Sequence, residues 1–437
     1  MKRRVVVTGF GAVSPLGLSA QETWQAILAS KSGISLTNRF DTTTFSVKIS
    51  GTVPTSFNPE QYIEPKEIKR MDLFIQYGIA AACDAISHSG LMESLKQDDL
   101  SRVGVIVGSG IGGLRVIEKT SLELHVEKSR ISPFFIPSSL INITSGYISI
   151  KYGFTGPNHA VATACSTGAH AIGDAARIIK YGDADVMIAG SSESAVTQIG
   201  VAGFAAAKTL ASKYNDNPQK ASRPWDVERD GFVISEGAGI LVLEELEHAK
   251  KRGAKIYAEV SGYGMSGDAY HITSPHPEGR GAKAAMKAAL KDAALLPGQI
   301  DYINAHGTST KIGDEVELRA VQEIFAQENP KIMMSSTKSA IGHLLGAAGS
   351  VEAILSIILV ESGGCSGFQY KYELVSQQDI DDNVIEQSGV IVLVDKMSEL
   401  FIKDSSLEYI ESLGNSYFEV RNPQAKTKCG CGNSFNV

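Results

Sequence analysis

A cysteine flanked by small residues is the first candidate for chemistry in this sequence. Cys165 lies in the segment ATACSTG at 162–168, and an alanine-rich helical pattern follows it. We therefore expect the thiol near a helix N-terminus, where the positive end of the helix dipole lowers a thiol pKa and favours the reactive thiolate. The alternative is an inert core cysteine, because free cysteine is among the most buried residue types.

Two histidines favour the catalytic interpretation of this cysteine. His306 ends a predicted strand and opens a loop of Gly, Thr and Ser, and His343 follows a glycine. Functional side chains collect on such strand ends and turns. Lys338 and Glu317 lie near the two histidines in the sequence and could support them with charge. A thiol, two imidazoles and two charged groups together indicate an active site.

The elements that must position these residues alternate between buried strands and alanine-rich helices. Strands are predicted at 184–190, 239–243, 256–260 and 300–305, and short strands that run into glycine-rich loops at 3–17 and 102–113. Helices are predicted at 79–87, 168–181 and 282–293. Short apolar strands alternating with helices predict an α/β fold whose central sheet is covered on both faces.

Composition narrows the function classes. The 437 residues are 43% hydrophobic, which is enough for a sizeable core, and the net charge of −7 argues against nucleic acid as the main partner. The basic start from Met1 to Arg4 precedes too short an apolar run for a signal peptide. The longest apolar stretch, 353–360, is too short to span a bilayer, so we predict a cytoplasmic protein.

Five segments resemble one enzyme family. They are TACSTG, NAHGTST, STKSAIGHLLGAAG, SRPWDVERDGFVISEGAG at 222–239 and KEIKRMDLFIQYG at 66–78. Residues 1 to about 359 resemble the elongating β-ketoacyl-acyl-carrier-protein synthases, and those of type II most closely. The resemblance implies a thiolase-like fold of two similar α/β/α halves, at 1–250 and 251–359, and a homodimer.

The resemblance also implies a mechanism that needs no cofactor. Cys165 would take the acyl group from an acyl-acyl-carrier protein. Malonyl-acyl-carrier protein would then lose carbon dioxide and attack the acyl-cysteine as a carbanion. His306 and His343 would donate hydrogen bonds to the negative thioester oxygen that decarboxylation creates. Lys338 and Glu317 would be the charged pair that supports them.

Further site residues are carried over from the same resemblance. Thr308 and Thr310 match hydroxyls that contact the phosphopantetheine arm of the carrier protein. Lys66, Lys69 and Arg70 form a basic cluster on an early helix that would steer an acidic carrier protein toward the enzyme. The alternative for this cluster is a solvated helix face without a partner.

The last part of the chain contains a second constellation. It consists of three cysteines, Cys365, Cys429 and Cys431, and a single glycine separates the last two. Thiolates that cluster in space bind iron-sulfur clusters or zinc. With the segments GGCSGFQYKYEL, SGVIVLVDKMSELFI and KTKCGCGNSFNV, residues 360–437 resemble A-type iron-sulfur carrier proteins. The resemblance implies a small, mostly β segment whose three cysteines hold a cluster. A second catalytic cysteine of the thiolase type at Cys365 is the alternative, which its neighbours do not favour.

Each resemblance is incomplete at the junction. Synthases of the family continue into two last strands and an NSFGFGGTN-like loop, and nothing similar follows Leu359. The carrier-like segment lacks the helix and strand that precede its first cysteine in that family. We therefore expect a truncated second half and a catalytically impaired chimera, because one missing oxyanion donor alone lowers a rate about 100-fold to 1000-fold.

Overall fold

The computed structural model describes residues 3–127 and 131–361 and, beyond these, the segments 368–369, 383–387, 390–394, 402–412, 415–423, 427–428 and 434–436. The chain divides into two compact units, Met1–Ser356 and Ile357–Val437. None of the helices in this described part of the chain combines the length and apolar composition that crossing a bilayer requires.

A mixed sheet forms the centre of the first unit. The strands of this unit are β1 (Val5–Val13), β2 (Ile34–Leu36), β3 (Ile49–Gly51), β4 (Val103–Gly108), β5 (Asn158–His159), β6 (Val186–Glu193), β7 (Gly237–Glu245), β8 (Ala258–Glu259), β9 (Tyr302–Asn304) and β10 (Met333–Ser335). Six of them pair in the order β5-β4-β6-β7-β1-β8. β4 is parallel to β5 and β6, whereas β7 is antiparallel to β6 and β1. Every residue of β1, β4 and β6 is buried, as the prediction of a covered sheet requires.

Helices pack against this sheet. The helices are α1 (Ala20–Leu28), α2 (Pro65–Ile68), α3 (Leu73–Ser89), α4 (Leu91–Ser94), α5 (Leu114–Glu127), α6 (Phe135–Ser139), α7 (Ile143–Tyr152), α8 (Thr167–Tyr181), α9 (Gln198–Ala206), α10 (Leu246–Lys251), α11 (Arg280–Ala293), α12 (Lys311–Phe325), α13 (Lys338–Ile341) and α14 (Ala348–Glu361). α3 packs on β1 and β7, and α8 packs on β4 and β6. The predicted alternation of strands and helices is therefore confirmed as an α/β layered structure.

Strand β1 corrects one prediction. The glycines near the start of the chain were expected in a loop, but β1 continues through both of them to Val13. A Cβ atom at Gly11 would lie 2.3 Å from the carbonyl oxygen of Ala81, and one at Gly9 would lie 2.5 Å from that of Ala85. These glycines are needed because α3 lies directly against the strand.

A smaller layer follows β8 in the first unit. β9 and β10 pair in parallel, and α11 packs against α12. Buried Val321, Ile324 and Phe325 from α12 form its core, with partly buried Ile303 and Met334 from the two strands packed against them. Within the described residues this sheet has two strands, compared with six in the first, and the expected truncated second half agrees with that difference.

The described parts of the second unit consist mostly of strands. These are β11 (Phe368–Gln369), β12 (Asn383–Gln387), β13 (Val390–Val394), β14 (Ser406–Ser412), β15 (Asn415–Arg421), β16 (Thr427–Lys428) and β17 (Ser434–Asn436). β12 pairs with β13 and β14 with β15, both antiparallel, and β17 lies between β11 and β16. The expectation of a small, mostly β segment is confirmed.

Candidate active site

The local backbone presents Cys165 at a tight turn. A short 3₁₀ helix, Ala164–Ser166, carries the cysteine directly before α8. Ala164 has a left-handed φ of 50°, a conformation that is uncommon for a residue with a Cβ atom. Thr167 braces the turn, because its hydroxyl donates to the carbonyl of Ala164 at 2.8 Å and accepts from the amide of Thr163 at 2.9 Å. Such strained conformations occur at functional sites, where the surrounding structure enforces them.

The fold brings both predicted histidines to this cysteine. The Nε2 atom of His343 lies 3.0 Å from the Sγ atom of Cys165. The rings of His306 and His343 meet edge to face, with centroids 5.2 Å apart and planes at 86°. One ring nitrogen of each histidine and the thiol sulfur all lie within 4.8 Å of one another. Three residues that are far apart in the sequence thus form one reactive cluster.

Backbone pairing fixes the position of His343. Its amide donates to the carbonyl of Val233 at 2.8 Å, and its carbonyl accepts from the amide of Ser235 at 2.9 Å. The preceding Gly342 has a φ of 69°, and a Cβ atom there would lie 2.0 Å from the hydroxyl oxygen of Ser235. The motif at 222–239 therefore serves as the backbone support of this histidine.

A buried carboxylate holds the loop that carries His306. The two oxygens of Glu317, on α12, accept from the amides of His306 at 2.7 Å and Gly307 at 2.8 Å. The hydroxyl of Ser336 donates to the carbonyl of Gly307 at 2.7 Å. Glu317 thus positions the loop, and both of its oxygens are already engaged.

The partner of Lys338 differs from the predicted one. The ammonium of Lys338, which is 1% exposed, forms an ion pair with Glu352 on α14. The predicted pairing of Lys338 with Glu317 is wrong because Glu317 accepts backbone hydrogen bonds instead. Glu352 was not identified from the sequence, although a lone acidic residue inside an apolar helix of this length is a usable signal.

A second buried carboxylate was also missed. Glu193, at the end of β6, is fully buried and accepts from the hydroxyl of Ser109 at 2.8 Å. It also accepts from the amides of Gly110 at 2.8 Å and Gly346 at 3.1 Å. The glycine-rich turn after β4 is therefore tied to the segment that follows His343. Hydrogen bonds from donors alone favour an ionised carboxylate.

Burial reverses the expected shift of the nucleophile. Desolvation raises the pKa of the Cys165 thiol to about 11, and the nearby Glu193 carboxylate also raises it, whereas the Lys338 ammonium lowers it. The expectation of a thiol pKa lowered by the helix dipole is therefore wrong, because loss of hydration outweighs the favourable charges. The thiol is mostly protonated at neutral pH.

The two imidazoles are shifted in the opposite sense. Desolvation, together with the charge of Lys338, lowers the pKa of His343 well below its usual value and also lowers the pKa of His306. Both rings are therefore neutral near pH 7. Within the described residues Nδ1 of His343 is buried without a hydrogen-bond partner. We infer that Nε2 carries the proton, because a buried N–H without an acceptor would be costly.

The remaining predicted residues lie outside the reactive cluster. The hydroxyls of Thr308 and Thr310 are 3.0 Å apart on the loop after His306, and Thr308 is buried. Lys66 and Lys69 are exposed on and just after the short helix α2. Arg70 is partly buried.

Two contacts occupy the guanidinium of Arg70. It donates to Glu67 at 2.7 Å and lies 4.2 Å from the ring centroid of Phe134. Within the part of the chain that the structure describes, Lys66 and Lys69 form no ion pair, whereas Arg70 is already engaged.

The structure does not describe the three cysteines that are predicted to bind an iron-sulfur cluster. Cys365, Cys429 and Cys431 lie outside the described residues, so the structure assigns them no geometry.

Comparison with protein families matches most of the chain to one of them. The model for the N-terminal domain of β-ketoacyl synthases matches residues 2–249, and the model for their C-terminal domain matches residues 257–365. A model for iron-sulphur cluster biosynthesis matches residues 333–433. Residues 333–365 are matched twice. In the structure this stretch contributes Lys338, His343 and Glu352 to the site beside Cys165.

Individual relatives agree with this assignment. The chain is 55% identical over 360 residues to 3-oxoacyl-[acyl-carrier-protein] synthase 2 of Vibrio cholerae, which covers 82% of this chain and 86% of that protein. A β-ketoacyl synthase structure from Burkholderia phymatum matches with a TM-score of 0.75 and 32% identity, covering 84% and 88% of the two chains. The thiolase-like fold implied by the sequence is thereby confirmed.

One solved relative contains a partner protein. It is described as a type II polyketide acyl-carrier protein in complex with its ketosynthase, bound to a hexaketide. It matches with a TM-score of 0.73 and 33% identity, covering 83% of this chain and 87% of that one.

The raised pKa of Cys165 gives a direct prediction. The rate of its alkylation by iodoacetamide, followed by mass spectrometry of the Cys165 peptide, should rise with pH toward an apparent pKa of about 11. Lys338→Met should move the apparent pKa higher, because the variant removes the cation that stabilises the thiolate. Lys213→Met removes an exposed lysine elsewhere and should change nothing. An apparent pKa below the ordinary cysteine value of about 8.5 would contradict this account.

Proposed function

We propose that this chain, which belongs to the β-ketoacyl synthase family, elongates acyl chains by decarboxylative condensation with malonyl-acyl-carrier protein. The observation that carries the proposal is the contact of 3.0 Å between Sγ of Cys165 and Nε2 of His343, with the ring of His306 beside it. A nucleophile and two neutral hydrogen-bond donors at one point suit acyl transfer followed by stabilisation of an oxyanion.

In the first step Cys165 becomes acylated. Its thiolate attacks the carbonyl carbon of an acyl-carrier-protein thioester, a carbon-sulfur bond forms, and the carrier thiol leaves. The departing thiolate takes up the proton that Cys165 lost, so the step is balanced. Lys338 favours the thiolate electrostatically, whereas Glu193 and burial oppose it. The reactive thiolate is therefore a minority species at neutral pH.

In the second step the malonyl group loses carbon dioxide. The electrons of the breaking carbon-carbon bond move toward the thioester, whose oxygen becomes negative. The N–H groups of His306 and His343 donate to this oxygen. The carbanion then attacks the acyl carbonyl on Cys165, a new carbon-carbon bond forms, and the cysteine thiolate leaves. Neutral imidazoles suit this role because they donate without supplying a proton permanently.

Charged residues around the cluster act as positioning residues in this proposal. Glu317 fixes the loop of His306 through its backbone hydrogen bonds. Lys338 is held by Glu352, and its charge contributes to keeping both imidazoles neutral. Thr308 and Thr310 would bind polar groups of the phosphopantetheine arm through their hydroxyls, which lie together on the loop after His306.

A carrier protein is the proposed partner. Exposed Lys66 and Lys69 would attract its acidic surface. Arg70 contributes less, since Glu67 and Phe134 engage its guanidinium. The relatives named as acyl-carrier-protein synthases, and the ketosynthase solved with its carrier protein, support this choice of partner.

A second copy of the chain is the other proposed partner. Helices α5 and α9 form an apolar groove lined by Leu114, Ile117, Leu122 and Ile199, and the last three are 42%, 55% and 56% exposed. An apolar surface of this kind is typical of an interface. We expect Leu122→Asp to weaken a homodimer and exposed Leu28→Asp, on α1, to leave it intact. Light scattering that gives the mass of a single chain for the unchanged protein would contradict the dimer.

We also propose the domain limits 1–250 and 251–359 for the two synthase halves and 360–437 for the carrier-like segment. The limit near 359 is supported by helix α14, because this helix contains the last residue of the site, Glu352, and ends shortly after it at Glu361. The cytoplasmic location stays a prediction from the sequence. Condensation should be slow, about 100-fold to 1000-fold below that of a complete synthase, because the loop with the second oxyanion donor does not follow Leu359.

The two histidines can be separated from the nucleophile by experiment. His306→Ala and His343→Ala should each lower carbon dioxide release from malonyl-acyl-carrier protein by about 100-fold to 1000-fold, since each removes one donor to the oxyanion. Acylation of Cys165 should fall less than release does. Radiolabelled malonyl carboxylate measures release, and intact mass measures acylation. Unchanged release in both variants would refute the assigned roles, and His125→Ala on α5 serves as the exposed control.

Iron-sulfur carriage is a second candidate function for the tail. The observation in its favour is the match of residues 333–433 to the iron-sulphur cluster biosynthesis family, which includes Cys365, Cys429 and Cys431. Three thiolates are a donor set that suits an iron-sulfur cluster. The cluster would be cargo to be passed on. It takes no part in the condensation.

Reconstitution tests this candidate. With iron and sulfide under anaerobic conditions, the full chain should develop visible absorbance from a thiolate-bound cluster. The triple variant Cys365→Ser, Cys429→Ser and Cys431→Ser should stay colourless, and Cys83→Ser should behave like the unchanged chain. Equal absorbance in the triple variant would exclude the tail as the binding site. Absence of both colour and acylation would leave a chimera with neither function.

A further inference from the structure

The reactive cluster of Cys165, His306 and His343 has the composition of a metal site. Thiolate sulfur and imidazole nitrogen are the ligands that zinc prefers in proteins. One atom from each of the three side chains lies within 4.8 Å of the other two. Among the described residues this is the one group of three such side chains that could hold a metal ion.

The distance between the sulfur and one histidine nitrogen is close to that of a tetrahedral zinc site. Bonds of about 2.3 Å to sulfur and about 2.0–2.1 Å to nitrogen place neighbouring donor atoms roughly 3.3–3.6 Å apart. Sγ of Cys165 and Nε2 of His343 are 3.0 Å apart, slightly closer than that range. The other two donor pairs lie within 4.8 Å, so enclosing an ion requires them to approach by up to about 1.5 Å. Three protein ligands leave the fourth position for water.

Solvent access to the cluster and the hydrogen bonds around its ligands also suit a bound ion. The side chain of His306 is exposed, so the cluster opens to solvent on one side. The backbone around its ligands is held in place, because the amide of His343 donates to the carbonyl of Val233 and the amide of His306 donates to Glu317. Fixed ligands lose little conformational freedom when an ion binds.

Charged side chains of both signs surround the cluster. Three carboxylates, Glu193, Glu317 and Glu352, surround the cluster, and one ammonium, that of Lys338, lies among them. Glu193 accepts hydrogen bonds from hydroxyl and amide donors, which is the pattern of an ionised carboxylate. Lys338 is the largest charge acting on the Cys165 thiol and also lowers the pKa of both imidazoles, so a cation at the cluster would bind beside this ammonium, with Glu193 and Glu352 partly offsetting its charge.

We propose that Cys165, His306 and His343 bind Zn²⁺ and that the bound ion blocks acylation of the cysteine. Binding forms one bond to sulfur and one to each histidine. The proton of the thiol is released to water, and the proton on Nε2 of His343 moves to Nδ1, so that Nε2 can bind the ion. The sulfur lone pair that would attack a thioester is then shared with the metal. Zinc binding stands on the geometry alone, whereas its inhibitory effect rests on the proposed function.

Cobalt gives a readout that does not depend on activity. The protein for this test is the full chain with Cys365→Ser, Cys429→Ser and Cys431→Ser, so that thiols of the tail contribute nothing. Co²⁺ should produce a thiolate-to-metal charge-transfer band, and one equivalent of Zn²⁺ should abolish it. Added Cys165→Ser should remove the band and weaken Zn²⁺ binding by at least about 100-fold, because even outer contacts of a metal site are worth 10-fold to 100-fold.

Matched variants decide between outcomes. Cys83→Ser in the same background should keep the band, since Cys83 lies in α3 away from the cluster. If Cys165→Ser fails to fold by circular dichroism, His306→Ala provides the second loss-of-ligand variant. A band that survives both variants, or no band in the background protein, overturns the proposal. Zn²⁺ should also protect Cys165 from iodoacetamide, and unchanged alkylation would overturn it as well.

The zinc site and the proposed condensation can fail separately. A cobalt band without acylation of Cys165 by acyl-carrier protein would leave the metal site standing and refute the condensing function. Acylation that proceeds at the same rate with saturating Zn²⁺ would refute the inhibition.

Discussion

The arrangement of the active site depends on one buried carboxylate, that of Glu193. Its oxygens accept from the amides of Gly110 and Gly346, which belong to loops far apart in the sequence. A Cβ atom at Gly346 would lie 2.7 Å from a Glu193 oxygen and 2.3 Å from the Gly110 amide nitrogen, so the loops meet only as glycines. Because His343 lies just before Gly346, this tie holds its imidazole over the turn that carries Cys165.

The same burial that fixes the geometry sets the protonation of the site. Loss of water raises the pKa of the Cys165 thiol and lowers the pKa of His343, so each group is neutral in its resting form. Lys338, balanced by Glu352, is the positive charge that acts on both. The site therefore holds donors for an oxyanion in a low-dielectric environment, where a hydrogen bond to developing charge is strongest. The open side at His306 is where substrate, or an inhibiting ion, would reach the thiol.

Local pattern in the sequence predicted the strands, the main helices and the residues Cys165, His306 and His343, because these depend on short motifs. Which charged side chains pair with each other could not be predicted in the same way. Lys338 pairs with Glu352 because Glu317 is committed to backbone amides, and that competition exists only in the folded chain. The pKa of Cys165 was predicted in the wrong direction because a helix dipole can be inferred locally, whereas desolvation depends on everything that packs around the sulfur.

The most direct test of this account is peptide mass spectrometry of the chain after incubation with a saturated acyl-carrier protein. The account predicts that the acyl mass appears on the peptide containing Cys165, and that Cys165→Ser removes it. Acylation found only on Cys83 or on the tail cysteines, or no acylation of a folded protein at any pH up to about 11, would contradict the assignment of Cys165 as the nucleophile.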